Sequence, residues 1–384
     1  MNRPFFCFFL AVLCGMSTAC RETVSDHAAL FPLPTNENKV ALRFTSLYCD
    51  TVALDPIHTS FVGAFYVQNQ KILWVDYRFC WIFEFDTDGK FIQRRLGQGK
   101  GPKEVPTGLL YGYAPDQAGG FVVLGPQTDC YRFDSAGVLI HRFLVRDYVV
   151  GENPAENRPD RPGTYTYAYD KLVTRVFDNE LFLNIYSEAE GFDLFGDAKP
   201  YFREARILMG INLENGRADQ LLGRFPPVYE NRSDWCKPFV FTSFDIAPNG
   251  DFYVAPEVDT LIYRYDRNYR PICSFGQAGR DMDTAYMALR TPDELQIFFN
   301  QERAKGRYDW VEYVDETGVF FRSYVKGAEA STDGLQIYEG TVLVGDVDVP
   351  RGFRVKGYIA PYYYAEGPVD EENETLTLYR FTLE

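Results

Sequence analysis

Histidine is almost missing from this chain of 384 residues: His27, His58 and His141 are the only three. No HExxH run exists and no pair is spaced to hold zinc. Cysteine is sparse as well. Of eight cysteines, Cys7, Cys14 and Cys20 fall in the first twenty residues, leaving Cys49, Cys80, Cys130, Cys236 and Cys273. An odd set at wide spacing is not a disulfide framework, and with no CxxC a zinc ribbon is excluded. The five are expected to be small buried hydrophobes. No GxSxG elbow is present. Basic residues are outnumbered, 39 Lys and Arg against 54 Asp and Glu, for a formal charge of −15. Such a surface repels phosphate backbones and anionic lipid headgroups, so nucleic acid is not an expected partner and membrane contact needs an anchor. A membrane-spanning hydrophobic run is lacking too. Phe5 to Met16 is an apolar stretch of twelve residues, short of the roughly 17–25 a spanning helix needs.

That stretch has the length of a signal-peptide core, with Arg3 before it. Ser17-Thr18-Ala19 then place small residues ahead of Cys20. The segment resembles the lipobox of bacterial lipoproteins, which implies cleavage before Cys20 and acylation of its thiol. Ser17 stands where such motifs usually carry Leu, and an ordinary secretory signal cut after Ala19 is the alternative. The organisation expected is a signal peptide over 1–19, a lipidated tether over 20–37 and a single domain over 38–384.

Aromatic residues are plentiful, with 27 Tyr and 32 Phe, and they favour strands. Three segments repeat one pattern. Each has a β-rich run, a short gap, a seven-residue run ending aromatic-Asp, a turn and another strand. The runs Cys80 to Asp86, Cys130 to Asp134 with the two residues before it, and Thr260 to Asp266 carry the alternation of strands. Asp86-Thr87-Asp88-Gly89 and Asp134-Ser135-Ala136-Gly137 are turn chemistry. Asp86 and Asp134 lie 48 residues apart, near the roughly 40–50 of a four-stranded propeller blade.

A strand precedes each unit, at Phe61–Tyr66, Leu109–Tyr113 and Phe239–Phe244. Looser units run from Tyr167 to Phe225 and from Trp310 to Val344, the latter read as three strands with Leu335–Val344 as one. Phe353 to Leu383 ends the chain one strand short of a blade. Lys39–Phe44 is a strand without a blade, and is expected to complete the last one, so that no sheet edge stays open. The fold expected is therefore an all-β, six-bladed β-propeller closed by an N-terminal strand, with seven blades the main rival. One helical insertion is expected near 291–306, opened by Thr291 as N-cap and Pro292 behind it. Val150 to Thr164 reads as an exposed loop.

The run Phe83-Glu84-Phe85-Asp86-Thr87-Asp88-Gly89-Lys90-Phe91, followed by Leu96-Gly97-Gln98-Gly99-Lys100-Gly101-Pro102-Lys103-Glu104, resembles the blade signature of six-bladed propeller lipoproteins of Bacteroides-like bacteria, related in pattern to NHL and TolB-like propellers. Phe275 to Arg280 repeats a weaker form. The resemblance implies a cell-envelope location, lipid-anchored at the outer membrane, and supplies no catalytic residues.

Candidate chemistry is thin. Gly97 to Gly101 is followed by Pro102 rather than by Ser or Thr opening a helix, so a tight inter-blade turn is the reading, not a phosphate loop. Asp346, Asp348, Asp370, Glu371 and Glu372 could hide a calcium or glycosidase site, but Asp at blade turns has a structural duty. Tyr111, Tyr113, Tyr362, Tyr363, Tyr364 and Trp310 could line a funnel, or pack between blades. No catalytic residue is identified, and no cofactor or metal is expected. The function expected is an envelope-anchored binding or scaffold propeller for an unknown protein, peptide or glycan. The alternative is a carboxylate- or calcium-dependent enzyme (lactonase, lyase or glycan hydrolase) at the channel mouth. Three or more acids converging on the axis with shifted pKa values would favour that alternative.

Overall fold

The computed structural model describes residues 31–32, 39–126, 128–145, 157–195, 198–289 and 294–383. The signal segment 1–19, Cys20 and most of the 20–37 tether lie outside the described residues. So do His27, the first part of the Val150–Thr164 loop and the helix-opening Thr291 and Pro292.

The chain runs β1 (Val40–Phe44), β2 (Asp50–Ala53), then four strands of a first blade, β3 (Gly63–Gln68), β4 (Lys71–Asp76), β5 (Trp81–Phe85) and β6 (Phe91–Arg95). A second blade follows with β7 (Gly112–Pro115), β8 (Phe121–Leu124), β9 (Asp129–Phe133) and β10 (Leu139–Leu144). The third has β11 (Thr174–Phe177), β12 (Glu180–Asn184), β15 (Leu208–Asn212) and β16 (Gln220–Leu222). It is interrupted by the two-residue strands β13 (Glu188–Ala189) and β14 (Phe192–Asp193) and helix α1 (Ala198–Glu204). Short helices α2 (Pro227–Asn231) and α3 (Ser233–Cys236) lead to the fourth blade, β17 (Thr242–Ile246), β18 (Phe252–Pro256), β19 (Ile262–Tyr265) and β20 (Pro271–Phe275). Helix α4 (Leu295–Ala304) is the insertion anticipated near 291–306. After it come β21 (Arg307–Val314), β22 (Val319–Val325), β23 (Asp333–Glu339) and β24 (Val342–Val349), and lastly β25 (Val355–Ile359), β26 (Tyr362–Asp370) and β27 (Thr375–Phe381). The result is a six-bladed β-propeller.

Two strand assignments differ from the sequence reading, and the short helices α1, α2 and α3 add to the single helical insertion it expected. The strand that completes the sixth blade is β2, not the Lys39–Phe44 segment. β2 pairs antiparallel with β27, Val52 opposite Leu378. β1 instead lies parallel along β24 as a fifth strand on the fifth blade. The physical reason is burial: Val52 and Leu54 are sealed in the core, whereas Val40 and Leu42 are about half exposed. Leu335–Val344 is not one strand either. Gly340, at φ 60°, turns the chain between β23 and β24.

The core lies between blades rather than within them, as expected for sheets that bury both faces around a circle. One cluster joins Val52, Leu376 and Leu378 of the sixth blade to Phe65, Trp74 and Phe83 of the first. Another joins Phe275 of the fourth blade to Phe320 and Tyr338 of the fifth. Between the same two blades, the fully buried Arg322 lies over the Tyr308 ring at 3.8 Å and donates to the carbonyls of Thr260 and Gln277.

The blade turns repeat at the level of single atoms. Asp86 Oδ1 accepts from the amides of Asp88 and Lys90. Asp134 Oδ1 accepts from Ala136 and Val138, and Asp266 Oδ1 from Asn268 and Arg270. Each carboxylate thus replaces backbone partners that the turn cannot supply. The described cysteines are all free. Cys80, Cys130, Cys236 and Cys273 are buried, while Cys49 is partly so.

Candidate functional site

The innermost strands of the six blades are β3, β7, β11, β17, β21 and β25, and a cavity of about 280 Å³ is lined by residues from all six. It lies on the axis, at the C-terminal ends of these strands. Four inner strands each contribute a charged side chain to its wall. Arg175 comes from β11, Asp245 from β17, Glu312 from β21 and Lys356 from β25. Tyr66 of β3 adds a hydroxyl that shares a hydrogen bond with Tyr77, 2.9 Å away.

Arg175 organises the mouth. Its Nε contacts Asp245 Oδ1 at 2.5 Å and its Nη2 contacts Glu312 Oε2 at 3.1 Å, so one guanidinium joins the third, fourth and fifth blades. Asp245 Oδ2 also accepts from the Tyr313 amide at 2.7 Å. Lys356 pairs with Glu366 at 3.1 Å and sits over the Trp310 ring, 3.5 Å from its centroid. Trp310 is fixed in turn by its Nε1 donating to the Val355 carbonyl at 2.8 Å. Its other cationic neighbour is Arg175, at 5.2 Å from the ring centroid.

Below Trp310, at the N-terminal ends of the same strands, a smaller recess of about 60 Å³ contains Lys171, Glu257, Asp309 and Arg354. Arg354 Nε meets Asp309 Oδ2 at 2.6 Å. Lys171 reaches Glu302 of α4 at 2.6 Å and Glu257 at 3.5 Å. Trp310 borders both cavities, so the indole and its cations divide the axis into a wide mouth and a narrow recess.

The acids along the axis hold their protons very differently. Burial, reinforced by the nearby Asp245 carboxylate, pushes Glu312 up to about 8, against the pull of Arg175 and Lys356. Burial likewise lowers Lys356 below the usual lysine value. At Asp309, burial pushes the other way but loses to Arg354, Arg307 and Lys171, which together hold the carboxyl down at about 2. Glu257 is raised, burial outweighing Lys171 and Arg307. An acid held at about 8 beside an acid partner and two cations can exchange a proton near neutral pH and can present either a donor or an acceptor to a ligand.

Most residues singled out in the sequence lie elsewhere. Trp310 is on the axis, as considered. Tyr113, Tyr363 and Tyr364 are buried between blades. Tyr111 stacks on Tyr169 at 5.8 Å, and Tyr362 lies under Arg380. Asp346 accepts from Tyr324, Asp348 pairs with Lys326 and Arg280, and Asp370 holds the turn at Asn373. None of these acids reaches the axis. Among the described residues, no group of three or more His, Cys, Asp or Glu side chains could hold a metal ion. The glycine run is a turn. Glu104 Oε2 accepts from the Gly101 amide at 2.8 Å, and a Cβ on Gly99 would come within 2.0 Å of that oxygen.

Arg175, Asp245, Glu312 and Lys356 were missed. Their signal was a charged residue in an inner strand, a place where an apolar or hydroxyl side chain is the norm. It becomes readable only once the strand order identifies which strands are innermost.

No family model matches the chain, and no curated protein does. The chain is similar to solved structures. One is a member of the DUF4221 family from Bacteroides vulgatus, with TM-score 0.61 at 13% identity, covering 88% of this chain and 98% of that one. Another is a putative exported protein from Bacteroides fragilis, with TM-score 0.52 at 12% identity, covering 89% of this chain and 97% of that one. At such identities the likeness concerns the fold.

Proposed function

We propose that the chain is a cell-envelope propeller that binds a polar ligand at the axial mouth, held to the membrane by a lipid on Cys20. The observation that carries the binding role is the convergence of six inner strands on one polar cavity, with Arg175 holding Asp245 and Glu312, and Lys356 held by Glu366 over Trp310. Charged groups buried at such a cost serve recognition more readily than stability. The envelope address rests on the Phe5–Met16 run and the small residues before Cys20. It is supported by the exported protein among the structural neighbours. Among the described residues no helix is long and apolar enough to cross a membrane. The ligand is a protein, peptide or glycan rather than nucleic acid, since the chain carries −15.

The test is to screen the mature chain against a glycan array and fractionated envelope peptides, beside an Arg175→Met variant whose fold is checked by circular dichroism. Ligands retained by the wild type and released by the variant support the reading. Silence at high protein concentration, or equal retention by both, contradicts it.

A second reading is favoured by Glu312 alone. An acid held at about 8 in a cavity is suited to general acid catalysis near neutral pH. Product release from any hit, abolished in Glu312→Gln while binding persists, would turn the binder into an enzyme.

A further inference from the structure

The axial mouth holds more acid than its own cations can answer. Asp116, Asp245, Glu312, Asp315 and Glu316 line it, against Arg175 and Lys356. Both cations are already engaged. Arg175 is divided between Asp245 and Glu312, and Lys356 is held by Glu366. Asp116 draws on Arg132 at 2.8 Å, from outside the cavity. With Arg132 and Glu366 included, six carboxylates face three cations.

The surplus sits at the rim. Asp315 and Glu316 follow β21 in the turn that the Gly318 amide closes on the Val314 carbonyl, and both are exposed. Among the described residues neither forms an ion pair. Deeper in, Asp245 is 5% exposed and has only a shared arginine. The crowding shows in the protons. Asp315 is pushed up to about 7 by desolvation at the cavity wall and by Asp245 and Glu316, against the pull of Arg175. Asp245 also helps to raise Glu312. A cation entering the mouth relieves this repulsion, and an anion adds to it.

The way in is partly apolar. Val67 of β3, Val176 of β11, Ile246 of β17 and Tyr358 of β25 line the cavity, each partly exposed. An aliphatic stem can lie along them with its charged head among the acids. The amides that a hydroxyl-rich sugar needs are spent. Gln68 donates to the Gly120 carbonyl and accepts from the Tyr113 hydroxyl, and Asn69 donates to the Gly119 carbonyl. At about 280 Å³ the cavity lies just below the roughly 300–1,000 Å³ of small-ligand sites, a size for one long side chain.

We propose that the mouth takes a lysine side chain from a basic peptide segment, its stem against Val67, Val176 and Ile246 and its ammonium among Asp245, Glu312 and the rim acids. The inference rests on the mouth being a binding site. An ammonium favours ionised carboxylates, so Glu312 and Asp315 release protons as it binds, and affinity rises with pH through the neutral range. The groups facing Glu312 are Tyr66 of β3, Arg175 of β11, Asp245 of β17 and Lys356 of β25, with Asp315 on its own hairpin. Tyr66, pushed up to about 12 by burial, stays neutral there. Any loss of the Lys356 proton makes the mouth more acidic and acts in the same direction.

Calorimetry measures four probes against the mature chain: capped pentalysine, its fully Nε-acetylated form, pentaglutamate and a glucosamine pentasaccharide. Each is repeated on Asp315→Asn/Glu316→Gln and on Arg175→Met. A third variant, Glu371→Gln/Glu372→Gln, removes equal charge from an exposed turn outside both axial cavities. Circular dichroism confirms each fold. Pentalysine is expected to bind, to weaken at least tenfold on acetylation and on the rim variant, and to keep its affinity on the Glu371/Glu372 variant. Its heat at pH 7 is expected to be more exothermic in Tris than in phosphate, because the buffer takes up the released protons. Equal loss on the two charge variants, or no loss on the rim variant, overturns the proposal, since the charge of the whole chain then holds the cation. Equal heats in the two buffers overturn the placement against Glu312 and Asp315. Equal binding of the glucosamine pentasaccharide overturns the peptide assignment. If pentaglutamate binds best and Arg175→Met releases it, the sign of the ligand is overturned and the mouth stands as a binding site. If no probe binds, the lysine is overturned, and the envelope screen with Arg175→Met decides the mouth separately.

Discussion

At the scale of single residues, Glu312 has the sharpest consequence. Its ordinary value is 4.5, and in the folded chain it is pushed up to about 8 by burial and by Asp245. Between those values the folded state holds a proton that the unfolded state has released. Stability contributed at this site is therefore lost as pH rises through that window, and the full penalty is present above about 8. Glu312→Gln removes the penalty while keeping shape. The variant is expected to be more stable than wild type at pH 8.5, on the order of 1–3 kcal/mol, with the difference shrinking towards zero at pH 5. Urea denaturation at both pH values reads this. A difference that is the same at both, or that grows on acidification, would show that Glu312 is an ordinary ionised partner of Arg175.

Elements tell a different story about what the ring needs. β2 fills the sixth blade, pairing along Asp50–Ala53 with β27, and the link that follows it is tied down by Asp76. That buried carboxylate accepts from the Thr59 and Ser60 hydroxyls and from the amides of Ser60, Arg78 and Phe79. β1 by contrast adds a mostly exposed fifth strand to the fifth blade. A chain starting at Cys49 is expected to stay monomeric and lose at most a few degrees in Tm. A chain starting at Asp55 exposes the β27 edge with Leu376 and Leu378 and is expected to aggregate. Thermal melts with size-exclusion chromatography decide. Equal behaviour of the two chains would mean that β2 does not close the ring.

The same elements mark how far the sequence could be read. Aromatic-Asp turns at Asp86, Asp134 and Asp266 are local chemistry, and local chemistry is written in adjacent residues. The strand that closes the ring is a choice between two candidates, β1 and β2, made by burial against a partner more than 300 residues away. Val40-Ala41-Leu42 was the more strand-like, and lost because Val52 and Leu54 fit the core. The split of β23 from β24 turned on Gly340, a single positive-φ position inside a strong strand pattern. The mouth was least legible. Arg175, Asp245, Glu312 and Lys356 are scattered along the chain and meet only after six inner strands take their places around the axis.

For the whole molecule, the two ends of the axis are unlike. One end carries the helix α4 with Glu302, and the narrow recess; the other carries the wide mouth, with Asp315 and Glu316 exposed at its rim. A propeller that binds at its mouth uses the second end. Carbodiimide labelling of carboxylates, read residue by residue by mass spectrometry, tests this without knowing the ligand beforehand. The mature chain is labelled alone and after saturation with an envelope fraction that it retains. Protection centred on Asp315, Glu316 and Glu312 is the result expected; protection at Asp170 and Glu302 instead, with the mouth acids labelled as before, would contradict the account.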